Sequence, residues 1–178
     1  WTIPLNLAIM TNPKMDYLEI KVCEETWVVA EELLDSVIEK AKLTKNDYTI
    51  IKKIKGKKLE GLRYEHPLGI KKYLPEELQD NPKLFTILTS EQYVDASAGT
   101  GLVHCAPGCG PEDYEVGHKN GIPPFNCVNE EGRFEDFGPF TDLRAKLDDV
   151  EFIKAIHSAG ALLAKEKYVH DYPHGERS

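Results

Sequence analysis

His104 and Asp113 stand on either side of a glycine- and proline-rich loop, inside a stretch from Gly99 to Gly117 that reads GTGLVHCAPGCGPEDYEVG. Five glycines and two prolines frame a short apolar run there. This composition predicts a tight turn, a buried strand from Leu102 to Cys105, a constrained loop and then a helix. Pro111 occupies the place of a first helical turn, with Glu112 and Asp113 beside the unpaired N–H groups of that end. An imidazole therefore leaves a strand where a carboxylate opens a helix, and the glycines between them let a ligand approach the backbone. Such an arrangement has the geometry of a site. Each residue also has a plainer reading: Asp113 as a helix cap, His104 as a satisfied core histidine.

Thiols add two further chemistries. Cys105 and Cys109 lie in the same stretch and Cys127 follows it. Thiolate and imidazole are preferred zinc ligands, so His104 with these cysteines forms one alternative, a metal set. Against it, the spacing lacks two cysteines separated by two residues, and neighbouring strand residues point to opposite faces. The other alternative is a cysteine hydrolase using Cys105 or Cys109 with His104, although nothing in the sequence marks either thiol as activated.

The surrounding elements must position this pair. Tyr17 to Val22 alternates apolar and polar residues and Thr26 to Ala30 is β-rich, which predicts two strands. Leu33, Leu34, Val37, Ile38 and Ala41 follow helical spacing, predicting a helix with one buried face from about Ala30 to Leu43. Tyr48 to Ile54 reads as a strand, Gly56 to Gly61 as a turn and Leu62 to Tyr64 as a return, while Pro67 to Pro82 reads as a long surface connection. Leu84 to Leu88 is a strand that leads through Gln92 to Ala98 into the central stretch. Beyond a helix from Asp113 to Asn120, Gly121 to Pro124 force an extended turn and Phe125 to Val128 resumes β structure. Leu147, Val150, Ile153 and Ile156 mark a second amphipathic helix closed by Gly160, and Ala161 to Val169 a final strand. Trp1 to Ile9 carries neither a helix cap nor a clear pattern. Short strands interrupted by three helices predict an α+β fold: a mixed, mainly antiparallel, closed barrel-like β core with peripheral helices.

A chain of 178 residues with 41% hydrophobic content fits one globular domain over residues 1–178. No apolar run approaches the roughly twenty residues of a bilayer span, and Trp1 to Pro4 lacks the basic start and apolar centre of a signal peptide, so a soluble protein without membrane contact is expected. Four cysteines at low density argue against a disulfide framework and for a reducing cytoplasm. The net charge of −8 argues against a general polyanion-binding surface. Lys52, Lys53, Lys55, Lys57 and Lys58, then Lys71 and Lys72, read as a solvated strand and turn. Both ends look extended, as expected of an insertion within a larger protein.

The run from Gly99 to Tyr114 closely resembles the editing (CP1) domain inserted into the catalytic domain of isoleucyl-tRNA synthetases. Trp1-Thr2-Ile3-Pro4-Leu5-Asn6 looks like the second half of that family's threonine-rich motif, and His170-Asp171-Tyr172-Pro173-His174 resembles its exit junction. Leu5 departs from the family's frequent small polar residue, and Gly175 stands where a cysteine is common. Valyl and leucyl enzymes carry related domains with the same helix-starting aspartate. Valyl enzymes usually have lysine where this chain has His104, and a different loop in place of Pro107 to Pro111, which favours the isoleucyl resemblance over a valyl domain that clears threonine.

What the resemblance implies is hydrolysis of valine wrongly esterified to the 3′ adenosine of the isoleucine tRNA. Asp113, His104 and Thr2 would form the catalytic centre, and Trp1, Thr2, Asn6, Gly101, His104 and Asp113 would bind substrate. Asp113 would hold the substrate ammonium, and His104 would wall the pocket, hold a water or act as a base. Implied partners are the 3′ CCA end of the isoleucine tRNA and the remainder of the synthetase, with the isolated domain monomeric. No metal or cofactor is expected within the domain, ATP and Mg being expected only for a full-length synthetase. The motif's preceding threonines are not in this chain, so part of the site is expected to lie outside it. A non-catalytic module that binds the tRNA end is the remaining alternative.

Overall fold

The computed structural model describes residues 1–166 and builds them around two three-stranded sheets. In the first sheet β1 (Ala8–Thr11) lies between β5 (Thr86–Thr89) and β6 (Leu102–Cys105). β1 runs parallel to β5, with Ala8 opposite Thr86, and antiparallel to β6, with Ile9 opposite His104 and Ala8 opposite Cys105. In the second sheet β2 (Asp16–Val22) lies between β3 (Glu25–Ala30) and β4 (Tyr48–Lys55), antiparallel to both. The fold is α+β with mixed, mainly antiparallel pairing, but the expected closed barrel is not formed. Each sheet is open: the strands divide into two sets of three, and the outer strands of neither set pair to close it. Each sheet instead buries its apolar face in its own core.

The core over the second sheet follows the sequence pattern. Leu18, Ile20 and Val22 alternate on β2 and meet Leu34, Val37 and Ile38 of α1 (Leu34–Lys40), which a 3₁₀ turn at Glu31–Leu33 introduces. The lysines of β4 are balanced by carboxylates around them: Lys52 pairs with Glu19 at 2.9 Å, and Lys55 with Asp16 at 2.8 Å. Lys53 bridges to Asp16 and Glu31. Lys52, Lys53 and Lys55 therefore lie on a solvated, charge-paired strand, while Lys57, Lys58, Lys71 and Lys72 lie in 3₁₀ turns.

The first core departs further from expectation. β1 falls where no element was predicted; Ala8, Met10 and Thr11 are all buried, so the strand between two neighbours shows no polar alternation to read. Pro67 to Pro82 is not simply a surface connection. A 3₁₀ turn at Ile70–Tyr73 and α2 (Glu76–Gln79) drive Ile70, Leu74 and Leu78 into the core, four residues apart each time. Phe125 to Val128 makes only one isolated bridge, from Val128 to Phe134. Phe134, Phe137, Phe140 and Phe152 form an aromatic cluster with ring centroids 5.2 to 6.3 Å apart. That cluster turns α4 (Asp149–Ser158) so that Phe152 is buried while Leu147 and Val150, expected on its inner face, are 71% and 62% exposed. Ala161 to Glu166 is not the expected strand, and the rest of that segment, with the motif from His170 to His174, lies outside the described residues. Among the described residues no helix is long and apolar enough to cross a membrane.

Candidate functional site

Sequence and structure agree most closely at the crossing from β6 to α3 (Pro111–Lys119). Gly110 caps the helix without a side-chain bond, Pro111 opens it, and Glu112 and Asp113 lie in the first turn with His118 and Lys119 in the last. This charge order suits the helix dipole. The loop between closes tightly, with the Cys109 N–H donating to the Ala106 carbonyl at 2.8 Å. The first helical turn is thereby folded back onto the end of the strand: the Ala106 N–H donates to Asp113 Oδ2 at 2.8 Å, and Cys105 Sγ donates to the Asp113 carbonyl at 3.6 Å. Asp113 is half-buried, and one carboxylate oxygen is already oriented by backbone.

His104 approaches from β6. The start of the chain returns over it through a 3₁₀ turn at Ile3–Leu5, with Pro4 inside and the Leu7 N–H donating to the Cys105 carbonyl at 2.9 Å. This places Thr2 Oγ1 3.1 Å from His104 Nε2. His104 Nδ1 is buried without a partner. A bare nitrogen tolerates that better than an N–H would, so the neutral ring carries its proton on Nε2 and donates to Thr2. Burial lowers the His104 pKa, opposed by the Asp113 carboxylate. The lowered pKa favours the uncharged ring.

Thr2 thus meets His104, whose ring feels the Asp113 carboxylate, while two other predicted residues do structural work. Asn6 is 4% exposed and its amide is consumed at both ends: Nδ2 donates to the Ala8 carbonyl at 2.7 Å and Oδ1 accepts from the Tyr64 hydroxyl. Gly101 lies at the far end of β6, where its carbonyl accepts from the Tyr17 hydroxyl at 2.7 Å. Trp1 is partly buried against the first core. Two residues that the sequence did not single out support the Thr2 segment from behind. Tyr64 holds Asn6, and His66 Nε2 lies 3.0 Å from the Ile3 carbonyl. Because the Leu68 N–H donates to His66 Nδ1 at 3.2 Å, the Nε2 proton is free to reach Ile3. A cavity of about 990 Å³ lies behind this segment, lined by Tyr64, His66 and Phe85 rather than by His104 or Asp113.

Burial also lowers the His66 pKa, opposed by its bond to Ile3. Both rings are held neutral in the fold, whereas an unfolded chain protonates them near the ordinary value of about 6.5. Stability is therefore fully present above that value and falls as pH drops through it toward the depressed folded values. The thermal midpoint is expected to decrease between pH 7.5 and 5.5, and less so in His66→Gln; a flat profile in the wild type would contradict the assignment.

The thiol alternatives find no support in the geometry. Burial pushes the Cys105 thiol up to about 12 and the Cys109 and Cys127 thiols up to about 11, the opposite of an activated nucleophile. All four cysteines are free thiols. Among the described residues no group of three or more His, Cys, Asp or Glu is arranged to hold a metal ion.

The isoleucine–tRNA ligase of Methanocaldococcus jannaschii is 39% identical to this chain, covering 98% of it and 17% of the relative. That of Aquifex aeolicus is 38% identical and covers 98% of the chain and 18% of the relative. The chain thus spans less than a fifth of the length of these relatives. No family model matches it. Among solved structures, GlLeuRS-CP1 shares the fold with a TM-score of 0.67, covering 93% of this chain and 81% of that chain at 13% identity.

Proposed function

We infer that this chain, a homologue of one segment of the isoleucine–tRNA ligases, is an editing domain that hydrolyses the ester of valine wrongly joined to the isoleucine tRNA. The need for such a reaction is physical. A pocket that must accept isoleucine can reject valine by only about 1–3 kcal/mol for the missing methylene, and isoleucyl-tRNA synthesis is the standard instance of that limit. A second pocket that admits valine and refuses isoleucine supplies the remaining discrimination.

The observation that carries the reading is the Asp113 carboxylate, held by the Ala106 N–H through one oxygen, with the uncharged ring of His104 close enough to feel its charge. An aminoacyl ester brings a cationic amine and an aliphatic side chain, and these two groups offer an anion for the first and an uncharged wall for the second. An ordered water attacks the ester carbonyl with the vicinal ribose hydroxyl of the substrate assisting, and N–H or hydroxyl donors stabilise the developing oxyanion. The acyl C–O bond breaks as the ribose 3′ oxygen leaves with the proton the water gives up. The partners in this reading are the 3′ end of the isoleucine tRNA and the rest of a ligase chain.

The test is deacylation by the full-length protein without ATP, so that no recharging occurs. Valyl-tRNA of the isoleucine acceptor should be cleared faster than isoleucyl-tRNA, and Cys109→Ser should change the valyl rate by less than about twofold, since no thiol intermediate is involved. Equal rates on both esters, or loss of hydrolysis in Cys109→Ser, would reject the reading.

A further inference from the structure

The geometry points to Gly117 as a positioning residue that sets where the Asp113 carboxylate stands, by letting α3 lie directly against Pro107. A β-carbon added at Gly117 would sit 2.5 Å from Pro107 Cγ and 2.8 Å from Pro107 Cβ. Both are closer than real β-carbons approach, and a proline ring cannot swing aside. Pro107 is buried and follows Ala106, whose N–H orients Asp113. Asp113 and Gly117 are four residues apart, one turn along the same helix face. Contact at position 117 therefore governs how closely position 113 approaches the Ala106 amide.

Glycine inside a helix is otherwise a disadvantage compared with alanine. The backbone at Gly117 does not take a left-handed conformation, so alanine is excluded there by the approach to Pro107 and not by backbone strain. With alanine at 117, α3 must move away from the turn at Ala106 and Pro107. The carboxylate then retreats from its amide partner and from the space it shares with His104.

This inference rests on Asp113 holding the substrate amine. An anchor that acts alike on bound substrate and transition state appears in KM rather than kcat. In the full-length protein, Gly117→Ala is expected to raise KM for valyl-tRNA deacylation about tenfold with kcat near wild type, a split that general loss of structure does not produce. Pro107→Gly removes the obstructing ring, so P107G/G117A should return KM to that of P107G alone. An unchanged KM in folded Gly117→Ala, or a KM in P107G/G117A still well above that of P107G, overturns the inference. Should Gly117→Ala fail to fold by thermal melting, the comparison of P107G/G117A with P107G decides in the same way. Asp113→Asn separates the two levels. A wild-type KM there sinks the anchor itself, whereas a raised KM beside a neutral Gly117→Ala sinks only the spacing role.

Discussion

Asp113→Asn is expected to lower kcat/KM for valyl-tRNA deacylation by between about thirtyfold and about a thousandfold while leaving the melting temperature nearly unchanged. A unit-charge pair at about 4 Å is worth about 4 kcal/mol at an effective dielectric near 20, and partial exposure of the site reduces this toward about 2 kcal/mol. Asparagine is the informative replacement because its amide oxygen can still accept the 2.8 Å bond from the Ala106 N–H, so the loop and helix keep their relation and only charge is removed. Asp113→Ala removes both and should lose activity and some stability together. If Asp113 only tied α3 to the end of β6 through the Ala106 N–H, Asn would act as well as Asp, since its amide oxygen can accept the same bond. Wild-type clearance by Asp113→Asn would thus return the residue to a structural role.

How much of this was visible in the sequence differs by residue. The strand Leu102–Cys105 and the helix opening at Pro111 were legible because glycine and proline punctuate them, and their rules are local. β1 was not, although it is the centre of its sheet. With neighbours on both sides it buries Ala8, Met10 and even the polar Thr11, and a run of four leaves no period to detect. The barrel expectation failed for a related reason. Strand number and alternation do not say which strands are neighbours, and here they divide into two open sheets. Ile70, Leu74 and Leu78 carried a usable signal, a spacing of four, which the prolines and glycine around them masked. At the site, His104 and Asp113 were named from residue type, and Thr2 from resemblance to the threonine-rich motif. The bond from Thr2 to His104 joins residues 102 positions apart and has no trace in local pattern. Tyr64 and His66 escaped notice because their role is to hold backbone and amide groups of a distant segment.

Gly101→Ala should destabilise the fold by about 2–5 kcal/mol, an effect as large as removing the Asp113 charge but on a different quantity. Its φ of +79° lies in the left-handed region, where a side chain costs about 1–2 kcal/mol. The added β-carbon would also stand 2.4 Å from Ala30 Cβ and 3.4 Å from the Tyr17 ring, both residues fully buried, and forcing extra volume into a packed core costs about 1–3 kcal/mol more. These neighbours belong to the second sheet, while Gly101 leads into β6 of the first. The Tyr17 hydroxyl donates to its carbonyl, and the Ala30 N–H donates to the Thr100 carbonyl at 2.8 Å. The glycine therefore sits at the junction of the two cores, several residues along the strand from His104, and its small size serves that junction. Chemical denaturation of Gly101→Ala should show the midpoint fall. Under conditions where the variant remains folded, KM for valyl-tRNA should match wild type, because the carboxylate at 113 and the ring at 104 are untouched. A stable Gly101→Ala with raised KM would instead put this glycine in contact with substrate and move the pocket toward the opposite end of β6.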